Sequence, residues 1–143
     1  MAAWGPGDYL LQRRVVPQQI EGWPAYFRVY FVFGSVWCSW WNCYNDHYRL
    51  VAPDEFDALK IRPLEDIIRR IAALTGMTFF SSEIALTETG EFVVIDYVND
   101  QCHMLSQSTA PQNGVPDGLV AAIAISLVDA VGSALRTPQT PLQ

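Results

Sequence analysis

The run Tyr26–Trp41, YFRVYFVFGSVWCSWW, constrains the fold more than any other stretch. Aromatic and β-branched side chains fill it on both sides of Gly34-Ser35, and such residues suit a pleated, half-buried surface. Two runs joined by two turn residues beginning with glycine predict a hairpin, Tyr26–Phe33 with Val36–Trp41. In a strand Trp37 and Trp41 share one face and Trp40 takes the other. Core packing can absorb one face, so at least one tryptophan is expected to meet solvent, a missing subdomain or a partner.

Around this hairpin the hydrophobic period changes several times. Tyr9–Val16 reads as a strand with polar interruptions, Gln18–Pro24 as a connection, and Asn42–Asp46 as a polar loop. Pro63–Thr75 switches to helical period: Leu64, Ile67, Ile68, Ile71 and Leu74 fall on one face, with Pro63 at the start and Gly76 at the end. Thr78–Leu86 and Phe92–Val98 are two more strands, followed by a polar loop from Gln101 to Pro116. Asp117 is placed to cap a closing helix, Gly118–Leu135. That helix is apolar but carries Ser126, Asp129 and Ser133 and falls short of a comfortable membrane span, so it is expected to be a buried soluble helix. The order of elements predicts an α+β fold, an antiparallel sheet with helices packed on one face.

Half of the 143 residues are hydrophobic, enough for one packed domain over 1–143 with its core at about 9–135 and a flexible tail at 137–143. A net charge of -6, with nine basic residues spread along the chain, argues against nucleic acid and against an anionic membrane surface as partners. The N-terminal residues lack the basic and apolar regions of a signal peptide. Three cysteines, Cys38, Cys43 and Cys102, have no metal-ligand spacing and point to a reducing, cytoplasmic setting. His47 and His103 read as loop histidines. Cys102 and His103 are adjacent and so poorly placed to act as nucleophile and base, and Ser106 and Ser108 belong to no hydrolase elbow.

The most informative stretch is Ser81–Asp100, SSEIALTETGEFVVIDYVND. Glu83 and Asp96 each sit inside an apolar run, where a lone carboxylate loses hydration. A two-residue loop at Thr89-Gly90, or a four-residue loop, would set Glu83 directly opposite Asp96; a three-residue loop would break that register. Opposed carboxylates repel, and a divalent cation such as Mg²⁺ would remove the conflict, with Asn99 as a neutral oxygen ligand. Asp96 and Asn99 are three apart, so both can serve one ion only if the strand ends or bulges between them. Two plainer readings stand beside this one: both carboxylates face solvent, or one pairs with Arg28 in a structural ion pair.

GEFVVIDYVND is similar to the metal-binding run that closes the ATP-grasp fold, in which an acidic strand is followed by a hairpin ending in acidic-x-Asn. YLLQRRVV (9–16) looks like that family's adenine-contacting strand and hinge, and AYFRVYFVFGSVW (25–37) like its strand with an arginine followed by a hairpin. The chain therefore resembles the C-terminal half of the ATP-grasp superfamily over roughly Tyr9–Asp100. The resemblance implies an ATP-dependent carboxylate–amine ligase acting through an acyl-phosphate, or a kinase of small polyols. It places Mg²⁺ on Glu83, Asp96 and Asn99, with Asp100 as a substitute ligand. Phosphate or acyl-phosphate falls to Arg28 as the catalytic residue. The ATP nucleoside falls to the hinge around Gln12 and to Glu21, which would hold the ribose.

The sequence departs from the family in three respects. The second motif reads Asp-Tyr-Val-Asn, one residue longer than usual. The family's N-terminal substrate domain and first ATP-grasp subdomain have no counterpart, and Lys60, the single lysine, matches no family position. One subdomain supplies half a nucleotide cleft. The competing expectation is a non-catalytic fragment or binding module that needs a partner subunit or the missing subdomain.

Overall fold

The computed structural model describes residues 12–99, 102 and 104–136. In chain order the elements are β1 (Gln19–Ile20), β2 (Trp23–Pro24), β3 (Tyr26–Val32), β4 (Ser35–Asn42), β5 (His47–Leu50), α1 (Pro53–Ala58), α2 (Pro63–Thr75), β6 (Phe79–Leu86), β7 (Phe92–Asn99) and α3 (Asp117–Arg136). Strands β5-β4-β3-β6-β7 form one sheet in that order, with every neighbouring pair antiparallel. The α+β class with an antiparallel sheet is as expected.

The central hairpin forms between β3 and β4, but its turn lies at Phe33-Gly34 rather than Gly34-Ser35. Both residues have positive φ, 45° and 93°, the mirror-image turn that matches strand twist. Phe33 takes this conformation without glycine's freedom, and its backbone N–H donates to the Thr78 carbonyl at 2.7 Å. The two-residue shift keeps each side chain on its expected face and changes its cross-strand neighbour: Arg28 lies opposite Ser39.

The sheet is covered on both faces, which corrects the expectation of helices on one face. Phe27, Val29, Trp40, Phe80 and Ile84 pack with Leu64, Ile68 and Ala72 of α2. Tyr30, Val32 and Tyr48 pack on the other face with Val115 and with Leu119 and Ile123 of α3. The reason lies in β3: Phe27, Val29 and Phe31 form one alternating set, and the other, though it carries Arg28, holds Tyr26, Tyr30 and Val32, so both faces need cover. Trp40 is fully buried, while Trp37 and Trp41 are half-buried against the α3 side.

Helix α2 follows its pattern. Pro63 opens it, and Gly76 closes it with φ 71° and an N–H bond to the Ala72 carbonyl at 2.9 Å. Helix α3 does not follow its expectation. Only Leu119 and Ile123 are buried, and its outer side is apolar and exposed, so it is no buried helix. An Ala-rich run lacks polar punctuation on its outer face, and that makes a helix covered on one side look like a core helix in sequence.

Other elements had no clear sequence signal. Residues 12–16 form no strand; just after them the isolated Pro17–Thr87 bridge and the Gln18 N–H bond to the Leu86 carbonyl at 2.9 Å tie the chain to the sheet. Residues 9–11 of the expected first strand lie outside the described residues, as do the tail at 137–143, Asp100 and His103. The short helix α1 is held by Glu55, which accepts the Ala52 N–H at 2.6 Å and a two-pronged bond from Arg49 at 3.1 and 2.9 Å.

Candidate functional site

Three of the expected site residues meet on the α3 face of the sheet, beyond the part α3 covers. Arg28 in β3 lies opposite Glu83 in β6, which lies opposite Asp96 in β7, so the three form one row across adjacent strands. The Arg28 guanidinium is 2.6 Å from a Glu83 carboxylate oxygen, with the side chains 11% and 14% exposed. Arg28 also hydrogen-bonds the Tyr48 side chain, and its guanidinium carbon sits 4.9 Å from the centre of the Trp41 ring. Tyr26 closes the group, with its ring 5.2 Å from Trp41 in an edge-on arrangement.

Glu83 faces Asp96 by a route the sequence does not reveal. The β6–β7 loop has three residues, Glu88-Thr89-Gly90: Thr87 N–H bonds to the Glu91 carbonyl at 2.9 Å, and Leu86 pairs with Phe92. Such a loop alone would set Glu83 opposite Ile95. A register shift between Ile84 and Glu83 adds one residue to β7 and brings Asp96 into place. A second shift, between Glu83 and Ser81, sets Asn99 opposite Ser81, at a register position two residues along β6 from Glu83. This is the bulge that the three-residue spacing of Asp96 and Asn99 requires. The Ser82 hydroxyl pins the distortion by donating to the Asp96 carbonyl at 2.8 Å.

The electrostatics reflect partial burial. Burial is the largest influence on Glu83 and raises its pKa above the usual carboxylate range; Arg28 opposes this, and Asp96 and Asp46 add to it. Burial likewise pushes the Tyr26 hydroxyl well above its ordinary value, with Glu83 as the next contributor. The ion pair is close, yet desolvation outweighs it, as expected for a carboxylate that exchanges water for one cationic partner.

The same face carries a second signature. Five buried side-chain polar atoms have no hydrogen-bond partner among the described residues: Arg28 Nε, Tyr30 Oη, Trp37 Nε1, Ser39 Oγ and Ser81 Oγ. All belong to the face of Arg28 and Glu83, by the strand register. Unpaired buried polar atoms are costly and uncommon, so their concentration on one face sets it apart from the α2 side.

No family model, curated protein or solved structure matches this chain.

The remaining expected residues are placed elsewhere. Gln12 lies in an irregular segment and lines a cavity of about 260 Å³ with Arg13, Tyr26 and Ile95, so it reaches the edge of the Arg28 group through Tyr26. Glu21 has φ 51° in the two-residue turn between β1 and β2. That hairpin packs through Ile20 and Trp23 onto the α2-side core, so Glu21 is not brought to the Arg28 face. A larger cavity of about 610 Å³, lined by Val36, Trp37, Leu50, Phe56 and Leu119 among others, contains none of the Arg28–Glu83–Asp96 row. Among the described residues no group of three or more His, Cys, Asp or Glu side chains is arranged to hold a metal ion. Glu83 and Asp96 are two carboxylates at opposed register positions, and one of them is paired with Arg28.

The sequence did not point to Tyr26 or Tyr48 as members of this group, and it marked Trp41 only as part of an aromatic face. The signal for Tyr26 was available, because residues two apart in a strand share a face and Tyr26 precedes Arg28 by two. Trp41 and Tyr48 required the true turn position and the existence of β5.

Proposed function

We propose that the chain is a Mg·ATP-binding domain of ATP-grasp type, part of an ATP-dependent carboxylate–amine ligase that acts through an acyl-phosphate. The observation that carries this reading is the row Arg28–Glu83–Asp96, in which two carboxylates on neighbouring strands face each other and a guanidinium adjoins them. Glu83 and Asp96 would hold Mg²⁺, and the Asn99 position on the bulged strand would add a third oxygen. When bound, the metal supplies positive charge to the nucleotide phosphates. Arg28 would contact the phosphoryl group being transferred, where fixed cationic donors are worth most. The unpaired polar atoms around Arg28 support a polar ligand on this face. Gln12 sits beside Tyr26 at the edge of the same group, which suits a nucleoside contact. Glu21 receives no such support.

A second reading is a non-catalytic binding module of the same scaffold that needs a partner chain. The observation favouring it is that Arg28 and Glu83 already neutralise each other at 2.6 Å with little exposure. Calorimetric titration with Mg·ATP separates the two. Binding by the wild-type chain that weakens at least about tenfold in Asp96→Asn, with the fold intact, supports the nucleotide site; a tenfold change corresponds to about 1.4 kcal/mol. No heat from the folded wild-type chain rejects it and favours the module.

A further inference from the structure

Strand β4 has a neighbour on its outer side for only part of its length. β5 pairs with residues 39–42 and stops at Leu50, opposite Ser39. Continuing that ladder would put Pro53, which has no N–H to donate, opposite Val36; Pro53 opens α1 instead. Beside residues 35–38 no strand follows on that side among the described residues. The phase of the central hairpin fixes which backbone groups are left over. Its two-residue turn makes Val32 and Ser35 a hydrogen-bonded pair, so Ser35, Trp37 and Ser39 aim their N–H and C=O groups at β3. The Phe33 N–H bond to the Thr78 carbonyl, on the other side of β3, has the same phase. Val36 and Cys38 therefore aim theirs outward. The Val36 N–H and C=O and the Cys38 N–H have no backbone partner there among the described residues.

The cavity of about 610 Å³ lies along this open edge. Val36, Val51 and Phe56 wall it on the α2 side, and Trp37, Leu119 and Ala122 on the α3 side. Two charged side chains also line it. Arg62 is paired with Asp57 at 2.7 Å, whereas Glu65, half-buried in the first turn of α2, has no ion pair among the described residues. We propose that this edge binds an extended segment of a partner protein as an added strand, with apolar side chains at alternate positions and a lysine or arginine placed for Glu65. The unpaired backbone groups select the occupant, because an extended chain returns donors and acceptors at strand spacing and a helix does not. Its alternate side chains then enter the α2-side and α3-side walls in turn. A second copy is held off, since β5 stands one strand further out, about 4.8 Å, and stops another folded sheet before it reaches Val36. The cavity contains none of the Arg28–Glu83–Asp96 row, so the proposal stands apart from the nucleotide reading.

Panning a random peptide display library on the full chain, followed by amide-exchange NMR with a selected peptide, tests it. The expected peptides alternate apolar residues around one lysine or arginine. The Val36 and Cys38 amide protons exchange fast in the free chain and slow at least about tenfold when the peptide binds. N-methylating the peptide at every second residue abolishes binding in one phase and leaves it in the other, which plain apolar contact would not do. Glu65→Gln weakens binding about threefold at low salt, with unchanged far-ultraviolet circular dichroism. A library that yields no binder overturns the proposal, as does a peptide indifferent to both N-methyl phases. Slow exchange at Val36 and Cys38 before any peptide is added also overturns it, since a second copy or this chain's own terminal residues then fill the edge.

Discussion

The two faces of the sheet share their strands and are finished in opposite ways. On the α2 face Phe27, Val29, Trp40, Phe80 and Ile84 meet Leu64 and Ile68 in one apolar cluster, and the serine there, Ser82, has a partner at 2.8 Å. On the α3 face Ser39 and Ser81 are buried without hydrogen-bond partners among the described residues, a guanidinium and a carboxylate pair at 2.6 Å, and α3 covers part of the surface. Burying polar groups costs free energy that apolar packing avoids. The contrast teaches which face is finished by apolar packing and which buries charge and unpaired polar atoms.

The sharpest test of that contrast is Glu83→Ala. It strands Arg28 in a position 11% exposed, and removing one partner of a buried pair costs about 3–5 kcal/mol. Urea unfolding should show this loss, with much of it recovered when Arg28→Met is added; a Glu83→Ala chain as stable as wild type would mean the pair is solvated. For this reason Asp96→Asn, not Glu83→Ala, is the cleaner probe of nucleotide binding.

Next in size, Ile68→Ala on the α2 side should cost about 2–5 kcal/mol in the same assay, because Ile68 is fully buried against the sheet. Val128→Ala on the outer side of α3 should change monomer stability by less than about 0.5 kcal/mol. Equal losses at the two positions would mean that the outer side of α3 is covered as Ile68 is.

The pH dependence gives a smaller effect with a definite sign. Glu83 has its pKa raised above 4.5 in the folded protein, mainly by burial. The native state then holds more protons than the unfolded chain as pH rises from about 4.5 through the raised value, so this group's contribution falls across that window. Glu83→Gln should remove that slope, measured as midpoint urea concentration against pH. An unchanged slope would assign it to another group.

Tyr30→Phe should also have a small effect, within about 1 kcal/mol of neutral, since the hydroxyl is buried with no partner among the described residues. A loss well above that by thermal unfolding would reveal an ordered water or ligand partner on this face.

Much of this organisation was legible in residues. YFRVYFVF announced a strand by its aromatic and β-branched content, and Leu64, Ile67, Ile68 and Ile71 announced the apolar side of α2, whereas Leu74, read with them, is exposed and Ala72 is buried in its place. Arg28, Glu83 and Asp96 stood out because charges inside apolar runs need partners. The same evidence misread α3, since an Ala-rich helix has the composition of a core helix whichever side is covered. It also missed β5 and α1, whose short segments carry too few residues for a period to emerge.

Local chemistry in the chain determined which segments extend, which coil and which side chains alternate, because those follow from sterics and period. Tertiary structure decided the rest. Both alternating sets of β3 carry large apolar side chains that demanded cover, so α2 and α3 took opposite faces. A three-residue loop and an added residue in β7 together, neither visible as a pattern, set Asp96 opposite Glu83. Register across strands depends on how hydrogen-bonded ladders close in space, and a one-residue bulge moves every side chain beyond it to the other face.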